Sequence, residues 1–378
     1  MKPLHRSILI TDYMGQVEPT DKLPPDGVQP VLLGLFGEVG SIMATAKKLR
    51  REGLSFAGYR RSVEEEFGDV LWYFAALCRR LHLPLDEILA HGIDGEDYDR
   101  AIAANDLIES PISRVATPKI TYELDSTLLE LGEAASGLFA LRTSSDDARS
   151  RLTTFADWYL RALKAAGVTF ADVASANIAK TRGRFVKPDY ASLPNFDETF
   201  QPEERLPEQF EITIDQRSSG RAYLRWNGVF IGDPVTDNIR DPDGYRFHDT
   251  FHLAHAAILH WSPVFRALIK QKRKSNPKVD EAQDGGRAIV VEEGLTAWIF
   301  SRAKELNYFQ DQNHLSFDLL KTVQQFVAGY EVEECPLSLW EIAILSGYEV
   351  FRKIKLNNGG IIIGDRLRRT IEYKPLVP

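Results

Sequence analysis

A helical motif that occurs twice in the first half of the chain constrains its fold more than any other feature. LLGLFGEVGSIMATAKKLRRE, starting at Leu32, places apolar residues on one face at helical spacing, and VEEEFGDVLWYFAALCRRL, starting at Val63, does the same. The second run stops at LHLPLDEIL, where Pro84 suits a new helix start. The order then recurs. LLELGEAASGLFALR follows the first run, with Gly132-Glu133 where Gly37-Glu38 stood. LTTFADWYLRALKAAG follows the second, with Phe155 and Asp157 in the places of Phe67 and Asp69, and VTFADVASANIAK follows LPLDEILAHGIDG. The repeat period is roughly 90 residues, and two copies are too few for a solenoid. A fused pseudo-dimer is the simpler expectation, because each copy has an apolar stripe that the other can cover.

The rest of the chain changes character. A polar, Pro-containing stretch runs from Lys187 to Gln209 and reads as an inter-domain linker. Beyond it, FEITID and RAYLRWNGVFIGD are β-rich and are separated by QRSSG, a hairpin signature. Helical runs follow, beginning with FHDTFHLAHAAILHWSPVFRALIK, and NNGGIIIGD near the end reads as a turn plus a short strand. The expected fold is mainly α: an N-terminal tandem helical bundle plus a mainly helical C-terminal domain with a small antiparallel β element. The expected boundaries are 1–110 for the first repeat, 111–190 for a degenerate second repeat, 191–209 for the linker and 210–378 for the C-terminal domain.

Composition narrows the function classes. Hydrophobic residues at 44% and charged residues at 26% are an ordinary globular balance. The opening MKPLHRSILITDYMG lacks the marks of a signal peptide, and no stretch reaches the roughly 18 apolar residues of a membrane span. Two distant cysteines, Cys78 and Cys335, point to a reducing compartment, so a cytoplasmic protein away from membranes is expected. The net charge of −8 argues against an extended nucleic-acid surface. It does not exclude a small anionic substrate, because a bound divalent cation inverts the local sign.

Acidic residues supply a place for such a cation. Positions three or four apart share a helix face, so Glu66 and Asp69, and also Glu65 and Asp69, can converge. Glu38 lies on the preceding helix, where Gly34, Gly37 and Gly40 would allow close approach. Convergent carboxylates repel one another unless a cation sits between them, and oxygen-only ligands favour Mg2+, with Mn2+ as a substitute. The plainer reading of the same acids is a solvated helix face.

GLFGEVGSI followed by EEEFGDVLWYFAAL resembles the MazG-like all-α nucleoside triphosphate pyrophosphohydrolases, whose pattern is Glu-x-x-Glu on one helix and Glu-x-x-Asp on the next. That resemblance implies a hydrolase acting on acid anhydrides. It would convert a nucleoside triphosphate into a monophosphate and pyrophosphate with Mg2+, held here by Glu38, Glu66 and Asp69. Glu65 or Glu66 would assist catalysis. Ser41 stands where the family's second Glu would be, which removes one charge and leaves Ser41 to hold water or a phosphate oxygen.

The family's Asn-x-x-Lys, often followed by Arg, is missing from the first copy's HGIDGEDYDR but survives in the second as Asn177, Lys180 and Arg184. The second copy keeps Glu133 and Asp157 but has Thr154 in place of Glu66. The losses are complementary, so one composite site per chain is expected. Acids from copy one would meet Asn177, Lys180 and Arg184 from copy two, which would bind phosphate or base. Lys180 and Arg184 also fit an ordinary basic last helical turn. Lys48, beside Lys47, is a further phosphate candidate, and Trp72 or Tyr73 could stack on a base. The resemblance implies dimers or tetramers. The duplication could itself supply one such interface, so the sequence leaves a homodimer open and does not fix the assembly.

Four of the eight histidines fall between His248 and His260. His248, His252 and His255 share a helix face, with Asp249 adjacent and Glu292-Glu293 opening a later helix. Imidazoles with carboxylates nearby can hold a second metal or act as acid–base pairs. The same spacing also describes a merely buried face. The tract is similar to a C-terminal extension that accompanies some MazG-like proteins. Two further readings stay open. In one, the N-terminal repeats sense a nucleotide without turning it over and control a metal or acid–base site in the C-terminal domain. In the other, the histidine helix is the main catalyst.

Overall fold

The structure is a computed structural model that describes residues 10–90, 98–100, 115–142 and 146–376. Most of HGIDGEDYDR, residues 91–97, lies outside the described residues. The chain divides into two compact units, Met1–Val186 and Lys187–Pro378. The fold class is the expected one: mainly α, with a small antiparallel sheet. No helix among the described residues is long and apolar enough to cross a membrane.

The first unit holds α1 (Ile10–Val17), α2 (Gln29–Glu52), α3 (Tyr59–Arg80) and α4 (Leu85–Leu89), then a short β1–β2 pair (Tyr98–Arg100, Ala116–Pro118). It closes with α5 (Leu124–Gly137), α6 (Ala148–Ala165) and α7 (Phe170–Phe185). Helix α3 buries Val63, Phe67, Val70, Leu71, Phe74, Leu77 and Cys78, the three-and-four spacing that makes one apolar face. Helix α2 ends at Gly53, whose φ of 54° suits a residue without a side chain, and Gly167 at φ 72° breaks the chain after α6. Thr169 caps α7 by accepting from the Asp172 N–H at 3.1 Å. The α2–α3 and α5–α6 hairpins share one core. Phe74 packs on Phe155 with ring centres 4.9 Å apart, and the Tyr159 hydroxyl donates to the Phe67 carbonyl at 2.9 Å. Each hairpin therefore covers the other's apolar face.

The second unit is built on a five-stranded antiparallel sheet in the order β5-β4-β3-β6-β7. The strands are β3 (Gln209–Gln216), β4 (Ala222–Trp226), β5 (Val229–Val235), β6 (Gly359–Asp365) and β7 (Thr370–Lys374). Alternate residues Phe210, Ile212 and Ile214 face the core, the two-residue period of a half-buried strand. RAYLRWNGVFIGD is two strands, because Asn227 and Gly228 both take positive φ and turn the chain between them. The helices are α8 (Asp249–Ala254), α9 (Pro263–Ile269), α10 (Pro277–Ala282), α11 (Gly286–Glu305), α12 (Phe317–Phe326) and α13 (Leu337–Asn357). The run FHDTFHLAHAAILHWSPVFRALIK is not one helix. It passes from α8 into a π-turn at His255–Leu259, breaks at His260 (φ 61°), and restarts at Pro263 under a Ser262 cap.

Residues 191–209, read above as a linker, fall within the second unit. Asp197 is only 1% exposed, accepts from the Leu206 N–H at 2.9 Å, and pairs with Arg266. Arg273, fully buried, lies 2.7 Å from Asp284 and 2.6 Å from Glu331. A polar sequence here marks a buried charge network rather than a solvated connection.

Candidate functional site

In the first unit, Glu38 comes from α2 and Glu66 and Asp69 from α3, with one oxygen of each carboxylate within 4.8 Å of the others. All three are half-buried. Glu38 shows the cost of this arrangement. Burial first, and then the Asp69 charge, raise its carboxyl above the usual range, while Lys180 and a hydrogen bond from Ser41 pull it back. Ser41, one turn along from Glu38, therefore touches the acid group through Glu38 itself.

Helix α7 closes the other side. The Lys180 ammonium lies 2.9 Å from Glu65 Oε1 and 2.5 Å from Asp69 Oδ2. Burial works against its charge, but Asp69 and Glu65 outweigh that and raise Lys180 above its ordinary range. Asn177, one turn earlier, is 2% exposed and accepts from the Tyr13 hydroxyl at 2.8 Å. Its amide nitrogen has no hydrogen-bond partner among the described residues. Gly68 makes this approach possible, since a Cβ there would stand 3.0 Å from Asn177 Cβ. Arg184 lies one turn beyond Lys180, its guanidinium over the Phe185 ring.

The structure thus brings Glu38, Ser41, Glu65, Glu66, Asp69, Asn177 and Lys180 into one neighbourhood. It does not bring Lys48 there. Lys48 sits ten residues beyond Glu38, roughly 15 Å along the helix, with its ammonium 3.9 Å from Glu52 and over the Phe56 ring. Of the three glycines expected to allow close packing, Gly34 does so, because a Cβ there would overlap the Tyr73 ring at 2.1 Å. Gly37 and Gly40 face open space. Tyr73 is half-buried, and its hydroxyl is raised by burial and then by Glu38 and Asp69, which places it beside the acids. Trp72 is buried and donates to Thr20 Oγ1 at 2.8 Å, so its role is packing. In the second copy, Asp157 is held by Arg161 at 3.1 Å and the Thr154 hydroxyl donates to the Ser150 carbonyl. Tyr13, Thr20 and Gly68 were not singled out from sequence. Only Gly68, inside EEEFGDVLWY, carried a signal.

Two clefts of 440 and 370 Å³ lie at the far end of α3 around Arg79 and His82. They are not at the acids. Asp21 lines the larger one and pairs with Arg79 and Arg80, each at 3.0 Å.

The second unit has its own cluster. Helix α8 and the following turn present His248, His252 and His255 to Glu292 and Glu293 of α11. Two triads lie within 4.8 Å, His248–Asp249–His252 and His252–His255–Glu292. Glu292 is fully buried, with Oε1 3.0 Å from His255 Nδ1 and 3.1 Å from His252 Nδ1. Its Oε2 accepts from the Ser262 hydroxyl and the Val264 N–H, each at 3.0 Å. Burial opposes charge on both His252 and Glu292, yet their mutual attraction wins. His252 is pushed up to about 10 and Glu292 down to about 2. Tyr245 stacks on His248 with ring centres 4.4 Å apart, its hydroxyl pushed up to about 12 by burial and by Glu293 and Asp249. Both the acid group and the histidine group can therefore hold a metal ion by the chemistry of their donors.

Residues 191–377 match the family model of the MazG C-terminal domain. The Gene 37 protein of Mycobacterium phage L5 is 32% identical over 71 residues, which are 18% of this chain and 62% of that protein. The chain thus spans about three-fifths of the length of the curated relative it matches. No solved structure matches.

Proposed function

We propose that the chain is MazG-related, a reading the match of residues 191–377 to the MazG C-terminal domain supports, and that its first unit is a Mg2+-dependent nucleoside triphosphate pyrophosphohydrolase with one composite site. The observation that carries this reading is the meeting of Lys180, from the second helical copy, with the acids of the first, at 2.5 Å from Asp69 and 2.9 Å from Glu65. Three carboxylates within 4.8 Å on adjoining helices repel one another, and Glu38 is raised by its burial first and by Asp69 next. Such a group suits a divalent cation. Glu38, Glu66 and Asp69 would hold Mg2+, which when bound neutralises phosphate charge and lowers the pKa of a coordinated water.

The chain's own residues do the rest. Lys180 is a counter-charge of the acids and would turn toward a substrate phosphate. Arg184 can follow it with a planar fork of donors. The Asn177 amide accepts from Tyr13, and its nitrogen, without a hydrogen-bond partner among the described residues, is a buried donor packed beside Gly68. Glu65 is paired with Lys180 at rest and can take a proton from an attacking water once Lys180 turns to phosphate. Ser41 supports Glu38 with its hydroxyl instead of adding a carboxylate. Tyr73, anchored on Gly34 beside the acids, offers a ring to a base or sugar.

The test is a panel of nucleoside triphosphates incubated with the full chain and Mg2+, with products separated by chromatography. Monophosphate and pyrophosphate are expected. Tight nucleotide binding with no product would favour a second reading, a sensor, to which Ser41 in place of a family carboxylate lends support. Product formation that survives Glu66→Gln but not His252→Ala would move catalysis to the second unit.

A further inference from the structure

We propose that the second unit carries a transition-metal site of its own between α8 and α11, with His248 Nε2, His252 Nε2, Glu293 and Asp249 as ligands to one divalent ion of the zinc class. His248 fixes the first ligand atom. Its Nδ1 lies 2.9 Å from the Tyr245 carbonyl, which can only accept, so Nδ1 carries a proton and Nε2 is left as the ligand atom. That Nε2 stands 3.6 Å from Glu293 Oε2. His252 Nε2 stands 3.4 Å from the same oxygen. His252 is completely buried; its Nδ1 faces Glu292 Oε1 at 3.1 Å, while its Nε2 makes no aligned hydrogen bond among the described residues. A buried imidazole left so is costly, and few native side chains are.

Two of the separations are of the size that a shared ion imposes. Ligand atoms about 2.0–2.2 Å from a tetrahedral ion stand roughly 3.3–3.6 Å from one another. Both measured edges, 3.4 and 3.6 Å, fall in or at the end of that range. Asp249 adds a carboxylate: one of its oxygens, one ring nitrogen of His248 and one of His252 lie within 4.8 Å of one another.

Glu292 supplies the outer layer. It faces His252 Nδ1 and His255 Nδ1 with one oxygen and is pinned through the other by Ser262 and Val264, so it can orient the His252 ring toward the ion. Two imidazoles among the donors select a transition metal over Mg2+. The Glu293 side chain is 40% exposed, so the ion is reachable from solvent. The π-turn that begins at His255 fits this placement, since such turns recur at functional sites.

The full chain tests this, stripped with a chelator and dialysed against Zn2+. A Glu66→Gln/Asp69→Asn background removes the first unit's acids from the count. One tightly held Zn2+ per chain is expected in that background. Glu293→Gln and His248→Asn should each lower the affinity by at least about tenfold. Co2+ loaded in place of Zn2+ should give visible absorption bands that Glu293→Gln abolishes. Circular dichroism confirms that each variant is folded, and Glu293→Gln, at a partly exposed side chain, is the variant expected to keep its fold. Absence of bound Zn2+ from the background chain would overturn the proposal. So would a folded Glu293→Gln chain that holds Zn2+ as tightly as its parent.

Discussion

Replacing Lys180 by Met would remove a cation that the structure sets against the acid group. The ammonium lies 2.9 and 2.5 Å from Glu65 and Asp69, and the three side chains are only 17–21% exposed. An exposed ion pair contributes about 0–1 kcal/mol, whereas breaking a buried one costs about 3–5 kcal/mol. A pair this sheltered falls between, so Lys180→Met should destabilise the first unit by about 2–3 kcal/mol. In a unit of 186 residues that is a melting shift of about 4–12 °C. Mg2+ should reverse most of the loss, because an ion at a hundred times its Kd contributes about 2.7 kcal/mol. It should stabilise the parent less, since there it competes with Lys180. Thermal melts with chelator and with Mg2+ read the effect, and hydrogen exchange in α3 and α7 assigns it to the first unit. The reasoning fails if Lys180→Met melts with the parent, or if Mg2+ stabilises both proteins equally.

Three more perturbations follow from the geometry. Gly34→Ala puts a Cβ into the Tyr73 ring and should cost about 1–3 kcal/mol in urea denaturation, with weaker nucleotide binding if Tyr73 faces the substrate. Arg273→Met leaves Asp284 and Glu331 without their shared partner and should cost about 3–5 kcal/mol in the second unit, read by hydrogen exchange in α10 and α11. Burial works against the Asp21 charge, but Arg80, the Leu23 N–H and Arg79 outweigh it and hold the carboxyl below its ordinary value. Its contribution is therefore complete above the unfolded value of about 3.9 and is lost as pH falls through the lower folded value. Asp21→Asn should be less stable than the parent at neutral pH, with the two stabilities converging in acid.

Local periodicity made much of the first unit legible. The apolar spacing of LLGLFGEVGSIM and VEEEFGDVLWYF gives α2 and α3, and three-residue spacing puts Glu66 and Asp69 on one face. The complementary losses in the two copies pointed to Lys180, and the structure places it on Asp69. Periodicity is silent on partners far apart in sequence. Nothing in the run around Tyr13 announces that its hydroxyl meets Asn177, 164 residues on. The buried charges at Asp197 look like linker chemistry because their partners, Arg266 and Arg366, lie far along the chain. The histidine run has helical spacing throughout, and that spacing does not announce the π-turn inside it, which packs on α13 and on β6 and β7. The five-stranded sheet was read only in part, since β7 pairs with β6 through a short return that carries no Asn-Gly turn.

The central claim is that three carboxylates on neighbouring helices form a working hydrolytic site. It is tested most directly by the initial rate of pyrophosphate release from a preferred nucleoside triphosphate at saturating Mg2+, in the parent and in Glu66→Gln. Glu66→Gln keeps the side chain's size and removes its charge. The account predicts a clear rate in the parent and a fall of at least about a hundredfold in the variant, with the fold intact. A parent that releases no pyrophosphate, or a Glu66→Gln protein that releases it at the parent's rate, would contradict it.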